Sequence, residues 1–244
     1  MFPGIGTLIN IVAIIIGSVI GILIGKRFKE STRNLITDVL GFITLISGAS
    51  AIYALWDTKF KIAVPTGWTL LTVLSTLLLG AIVGSALNIE VRLENAGVFL
   101  KSKFDPSGAS PFVDGFVSAS LIFAIGPLAI LGSISDGMGA GLDQLILKSM
   151  LDFFASIAFA ASLGWGVAVS ALAVGFYQGI WTLLGLLLGS ILADYQVAAM
   201  TAVGGVMLLG IAFRLLKIRD IAVGNLLPAL AIAPLMALLV HQFI

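Results

Sequence analysis

Lys148 and Asp152 stand four residues apart inside a long apolar run, residues 142–163. Side chains four apart on a helix share a face, with Cβ atoms about 5–6 Å apart, so an ammonium and a carboxylate meet there. Ionisable groups inside a bilayer are costly and usually mark an ion or substrate path. Two readings follow. In the functional one Asp152 binds a cation, a proton or a solute, and Lys148 is its competing partner. In the structural one the two form a neutral pair, or Lys148, about two turns from the end of the run, snorkels to the headgroups.

The second feature is Gly126-Pro127-Leu128-Ala129-Ile130-Leu131-Gly132-Ser133. Proline removes a backbone donor and clashes with the preceding turn, and the glycine beside it lowers the cost of a break. Backbone groups freed in lipid must be satisfied by protein, water or a ligand. The segment is therefore either an ordinary kink or a discontinuous helix at the depth of Lys148 and Asp152, the arrangement on which secondary transporters build their sites. Isolated polar residues elsewhere, Asn10, Gln178 with Tyr177, and Asn225, either bridge helices or line a cavity. Asp114 and Asp38 are read as first-turn residues that complement helix dipoles. Ser118 and Ser120 suit close packing, and Pro228 and Pro234 bend or break the last apolar run.

Other chemistry is missing. There is no Walker-type phosphate loop or His/Glu metal cluster, and no cysteine. The single histidine, His241, is four residues from the end and makes no Ser–His couple. Neither a catalytic site, a metal site nor a cofactor is expected, so an enzyme is disfavoured. A formal charge of +1 with no basic patch gives no reason to expect nucleic acid.

These residues need a scaffold, and composition names it. The 244 residues are 59% apolar and 10% charged, with a mean hydropathy of +1.16, whereas a soluble domain carries about 25% charged residues. An all-α polytopic membrane protein follows. Spans of about 20 apolar residues fit eight times, at about 6–25, 35–55, 68–88, 112–134, 142–163, 167–192, 197–216 and 221–240, in one transmembrane domain. Gly164-Trp165-Gly166 reads as a tight turn, and residues 89–104 as an amphipathic helix on the membrane surface. The segment before the first span has no Lys or Arg, unlike a signal peptide, so that span is expected to be retained.

The positive residues Lys26, Arg27, Lys29, Arg33, Arg92, Lys101, Lys103, Lys217 and Arg219 fall on one side of an eight-span chain. The positive-inside bias puts them in the cytoplasm and both termini outside. Gly21, Gly25, Thr37 and Gly41 recur at constant spacing as Gly185, Gly189, Thr201 and Gly205. This is a weak repeat relating spans 1–3 to spans 6–8, and the two copies would be inverted in the membrane.

Four segments also carry a family likeness: Gly6-Thr7-Leu8-Ile9-Asn10 with the glycine-spaced run after it, the span-four motif above, Lys148-Ser149-Met150-Leu151-Asp152, and Asn225-Leu226-Leu227-Pro228-Ala229-Leu230. On these the chain resembles, over nearly its whole length, the bacterial membrane proteins grouped as domain of unknown function family 554, the YqgA-like proteins. The resemblance implies a multi-pass inner-membrane protein of prokaryotes and supplies no substrate. The expectation is a secondary transporter of a small solute or ion, with its site between spans four and five. The alternatives are a passive channel, formed across a symmetric homodimer through the glycine faces, and a non-transporting scaffold or partner subunit.

Overall fold

The computed structural model describes residues 2–65, 67–104, 111–125, 127–188 and 192–243. All regular structure among them is helical: α1 Ile5–Gly25, α2 Glu30–Ile52, α3 Thr58–Ala63, α4 Trp68–Ala86, α5 Ile89–Phe104, α6 Phe112–Ala124, α7 Pro127–Gly137, α8 Asp143–Leu163, α9 Trp165–Leu188, α10 Asp194–Leu215 and α11 Leu227–Phe243. Short 3-10 turns, Tyr53–Trp56 and Val223–Leu226, follow α2 and precede α11. Seven helical segments are long and apolar enough to cross a bilayer, and α6 with α7 makes an eighth if that bent pair counts as one span.

The helices are inside-out relative to a soluble protein. Helix α1 turns Leu8, Val12, Ile15, Ile16, Val19 and Leu23 outward and buries Gly6, Thr7, Asn10, Gly17, Ser18 and Gly21. Helix α8 exposes Leu147, Met150, Leu151 and Phe154 and buries Lys148, Ser149, Asp152 and Ser156. Only an apolar solvent makes that arrangement stable, because packing in lipid is driven by small residues and polar contacts rather than by burial of leucine.

Several boundaries move. Helix α2 begins at Glu30, so Asp38 lies about two turns inside it rather than in its first turn. Asp114 is in the first turn of α6, exposed, as a dipole partner should be. Only Gly164, at φ 76°, separates α8 from α9. The expected three-residue turn contracts to that one position, where a side chain would be strained. Residues 112–134 do not form one straight span. Phe112–Ala124 and Leu128–Gly137 are bent by 65° to each other. Pro127 is the first residue of α7, a position where its missing N–H costs nothing. Gly126 lies outside the described residues. Pro228 also sits in a first turn, that of α11, and Pro234 lies within that helix.

The chain forms two compact units. The first comprises Met1–Leu40, Leu93–Ala124 and Leu128–Ser190, the second Gly41–Arg92, Ile125–Pro127 and Ile191–Ile244. In the first, α1 packs along α8 and also against α9, and α6 packs on α9 and α8. A Cβ on Gly17, Gly21 or Gly25 would overlap the carbonyl oxygens of Phe153, Ile157 and Ala161, so the α1–α8 seam is backbone against backbone. Arg33 Nη2 closes the end of α1 by donating to the Gly25 carbonyl at 2.9 Å, and Ser162 Oγ, bonded also to Thr37, donates to the Arg33 carbonyl at 2.8 Å.

In the second unit α4 packs on α11, and α10 on α11 and α3. Its polar groups form closed sets. The buried Glu90 carboxylate accepts from Arg214 and, at 2.5 Å, from the Gly224 N–H. Gln196 donates to the Pro234 carbonyl at 2.9 Å and accepts from the Ala193 N–H at 2.8 Å.

Candidate functional site

The site grows from the α1–α8 seam. Because the glycines let α1 approach so closely, the first polar side chain above them, Asn10, reaches the carboxylate of α8. Asn10 Nδ2 donates to Asp152 Oδ2 at 3.0 Å. Lys148 Nζ donates to both Asp152 oxygens, at 2.9 and 2.7 Å. Lys148 and Asp152 are each only 6% exposed and Asn10 not at all. Lys148 therefore does not snorkel. Its ammonium is folded back onto Asp152, and the sequence's two remaining readings, a neutral pair or a site, share that geometry.

Helix α9 completes the wall. Thr7 and Thr182 hydroxyls meet at 3.3 Å, and a Cβ on Gly175 would touch Ile11 Cδ1 at 2.6 Å. These two contacts run antiparallel and bracket Asn10 on one helix and Gln178 on the other, so both amides lie at one level. The Gln178 side chain is fully buried, and neither of its polar atoms has a hydrogen-bond partner. Asn10 Oδ1, Ser18 Oγ, Ser156 Oγ and Tyr177 OH are likewise buried and unpartnered. Buried polar groups are nearly always satisfied, so the paired exceptions at the level of Asn10 and Gln178 mark a place that water, an ion or a ligand completes.

A further carboxylate stands one turn before Asn10 along α1. Asp136, 3% exposed near the end of α7, accepts from the Gly6 N–H at 3.0 Å. It lines a cavity of about 350 Å³ together with Gly139, Gly141, Leu142, Asp143 and Ile146. The apolar run ends at Ile134, so the sequence alone leaves Asp136 outside the span at 112–134. The helix continues one residue beyond Asp136, and that extension buries it.

The remaining candidates sort by unit. Gly132 packs on Leu145 of α8, where a Cβ would meet Leu145 Cγ at 2.9 Å. The Ser133 hydroxyl is spent on the Ala129 carbonyl at 2.6 Å. Both are therefore packing residues of the first unit. Asn225 belongs to the second unit, where its Oδ1 accepts from the Glu90 N–H at 2.9 Å. The buried Glu90–Arg214 pair was not foreseen, since Glu90 opens a polar stretch that reads as solvated.

Residues 5–238 match the family described as "Protein of unknown function (DUF554)". The chain belongs to this family. It is 31% identical over 239 residues to the "Uncharacterized membrane protein YdfK" of Bacillus subtilis (strain 168), covering 98% of this chain and 97% of that protein. It is 31% identical over 233 residues to the "Uncharacterized protein YqgA" of Escherichia coli (strain K12), covering 94% of each. No solved structure matches the chain. Family, relatives and inside-out helices agree on a multi-pass membrane protein.

Proposed function

We propose that the protein is a secondary transporter of a small solute or ion, working at the Lys148–Asp152–Asn10 group in the cytoplasmic membrane of a prokaryote. One observation carries this. All the buried side-chain polar atoms without a partner among the described residues, on Asn10, Ser18, Arg33, Ser120, Ser156, Tyr177 and Gln178, belong to the first unit. That unit also holds the bent α6–α7 pair and the buried ion pair. A scaffold has no reason to leave polar groups unmet in one unit while closing them in the other. A permanently open channel does not suit an ion pair this enclosed. Of the glycine faces that would have built a channel dimer, Gly17, Gly21 and Gly25 are spent on α8 and Gly185 on the Ile134 backbone.

The inverted repeat expected from the glycine spacing would fit the same reading. Corresponding helices run antiparallel: α1 against α9 in the first unit, as the Thr7 and Ile11 contacts require, and α2 against α10 in the second. There a Cβ on Gly41 would meet Leu216 Cγ at 2.7 Å, and one on Gly48 the Gly205 carbonyl at 2.8 Å. Inverted repeats supply the two related states of alternating access. The positive loops favour a topology with both termini outside, which puts the Asp136 cavity on the outer side. Transport, not catalysis, is the chemistry these residues support.

The test is uptake into proteoliposomes from a panel of inorganic ions, amino acids, organic acids and polyamines, with Asp152→Asn alongside. Uptake by the wild type that Asp152→Asn abolishes is expected. Equal uptake by both, at equal reconstituted amounts, would refute the assignment.

A further inference from the structure

We infer that the site takes a small monovalent cation, entered from the Asp136/Asp143 cavity, and that the Lys148 ammonium is its tethered competitor for Asp152. The inference rests on the transport reading and names its substrate class.

Three observations on the first unit carry it. The first is room. From Gly17 onward α1 and α8 meet backbone on backbone, so the helices are held together beside the site. Asn10, Lys148, Asp152 and Gln178 are at most 6% exposed, and a dehydrated ion among them needs only oxygens around it.

The second is ligand type. The groups left to offer at that level are the Asp152 carboxylate and the unpartnered Asn10 Oδ1 and Gln178 Oε1. These are hard oxygen donors, suited to alkali or similar cations rather than to soft metals.

The third is charge. Helices α1 and α9 contain no charged residue at all. The charges near the site are Lys148 and Asp152 on α8 and Asp136 on α7, with Asp143 at the cavity rim. A Cβ on Gly6 would lie 3.1 Å from both Asp136 Oδ2 and Leu145 Cβ, so Asp136 stands beside the helical turn that precedes Lys148. Asp143 is exposed to solvent, and the buried groups, two carboxylates and one ammonium, carry a formal charge of minus one, which a single monovalent cation cancels. When the cation takes Asp152, the ammonium has Asp136 as its second carboxylate, one turn closer to the cavity.

The experiment is equilibrium binding of radioactive sodium and rubidium to the purified full-length protein in detergent, with choline as the control cation. Fold is checked by circular dichroism melts. Saturable binding by the wild type is expected. Lys148→Gln should bind about tenfold more tightly, because a charge-assisted bond that competes for the carboxylate is gone. A merely structural lysine would give no tighter binding. Asn10→Ala, which keeps the ion pair and removes one oxygen, should bind several-fold more weakly, and it carries the test if Lys148→Gln does not fold. Absence of saturable sodium or rubidium binding by folded wild type and variants overturns the cation assignment. If Asp152-dependent uptake of an organic solute persists in that case, the transport reading stands without it; if no uptake exists either, both fall.

Discussion

Asn10 on the first helix donates to Asp152 on the eighth at 3.0 Å, although 142 residues separate them. The bond exists because the glycine face of α1 brings the two backbones into contact. It leaves Asp152 gripped from two helices, with Lys148 on both oxygens and Asn10 on one. The same bond leaves the Asn10 side-chain carbonyl oxygen buried and without a partner.

The ion pair predicts a non-additive stability cycle. Removing one partner leaves a buried, uncompensated charge, which costs roughly 3–5 kcal/mol. Lys148→Ala and Asp152→Ala should each lower the melting temperature in detergent strongly, and the double variant should lose less than the sum of the two. Additive losses would mean that the two side chains do not share one site.

The α1–α8 seam predicts a sharp contrast between glycines. Gly21→Val places atoms inside the Ile157 carbonyl and should abolish folded, monodisperse protein. Gly179→Ala on α9 meets nothing within 4 Å and should elute as folded, monodisperse protein like the wild type. Size-exclusion chromatography of both variants checks this.

Much of this fold is legible in the sequence, and the failures have common causes. Spans were visible because lipid demands long apolar runs, and α5 appeared over its full length because its amphipathic pattern is continuous. Lys148 and Asp152 were visible because charge in such a run has few explanations. Asp136 and Glu90 were not. Each lies where an apolar run meets a polar one, and burial there depends on whether the helix continues and on what packs over it. The same limit hid the role of Asn225. As a lone amide in an apolar stretch it resembles Asn10, yet it serves Glu90 in the other unit.

The Glu90 network predicts a structural role separable from transport. Glu90→Ala strips an acceptor from Arg214 and from the Gly224 N–H. An unmet buried group such as the Gly224 N–H costs about 1–3 kcal/mol, so a clear fall in melting temperature is expected. Cation or solute affinity, measured below that melting range, should stay at the wild-type value.

At the surface, Lys59 bonds Asp194 at 2.5 Å in a pair that is 66% and 71% exposed. The hydrogen bond to Asp194, then that residue's charge, raises the Lys59 ammonium above the ordinary 10.5. Whatever the pair contributes is complete below 10.5 and lost as pH rises through the raised value. Exposed pairs contribute little to stability, so the sharper readout is reactivity. Amine acylation, which needs the neutral amine, should modify Lys59 faster in Asp194→Asn than in the wild type at about pH 9. Mass spectrometry of the modified peptides measures the rates.

The most direct test of an alternately opened polar interior uses the absence of cysteine from this chain. Gln178→Cys would be treated with a small membrane-impermeant thiol reagent in right-side-out and inverted vesicles, with the exposed positions Lys61→Cys and Ser102→Cys as single-sided controls. Reaction of Gln178→Cys from both sides, slowed by the transported species and altered by Asp152→Asn, is the predicted result. No reaction from either side, while each control reacts from its own, would contradict the account and leave the first unit a closed structural bundle.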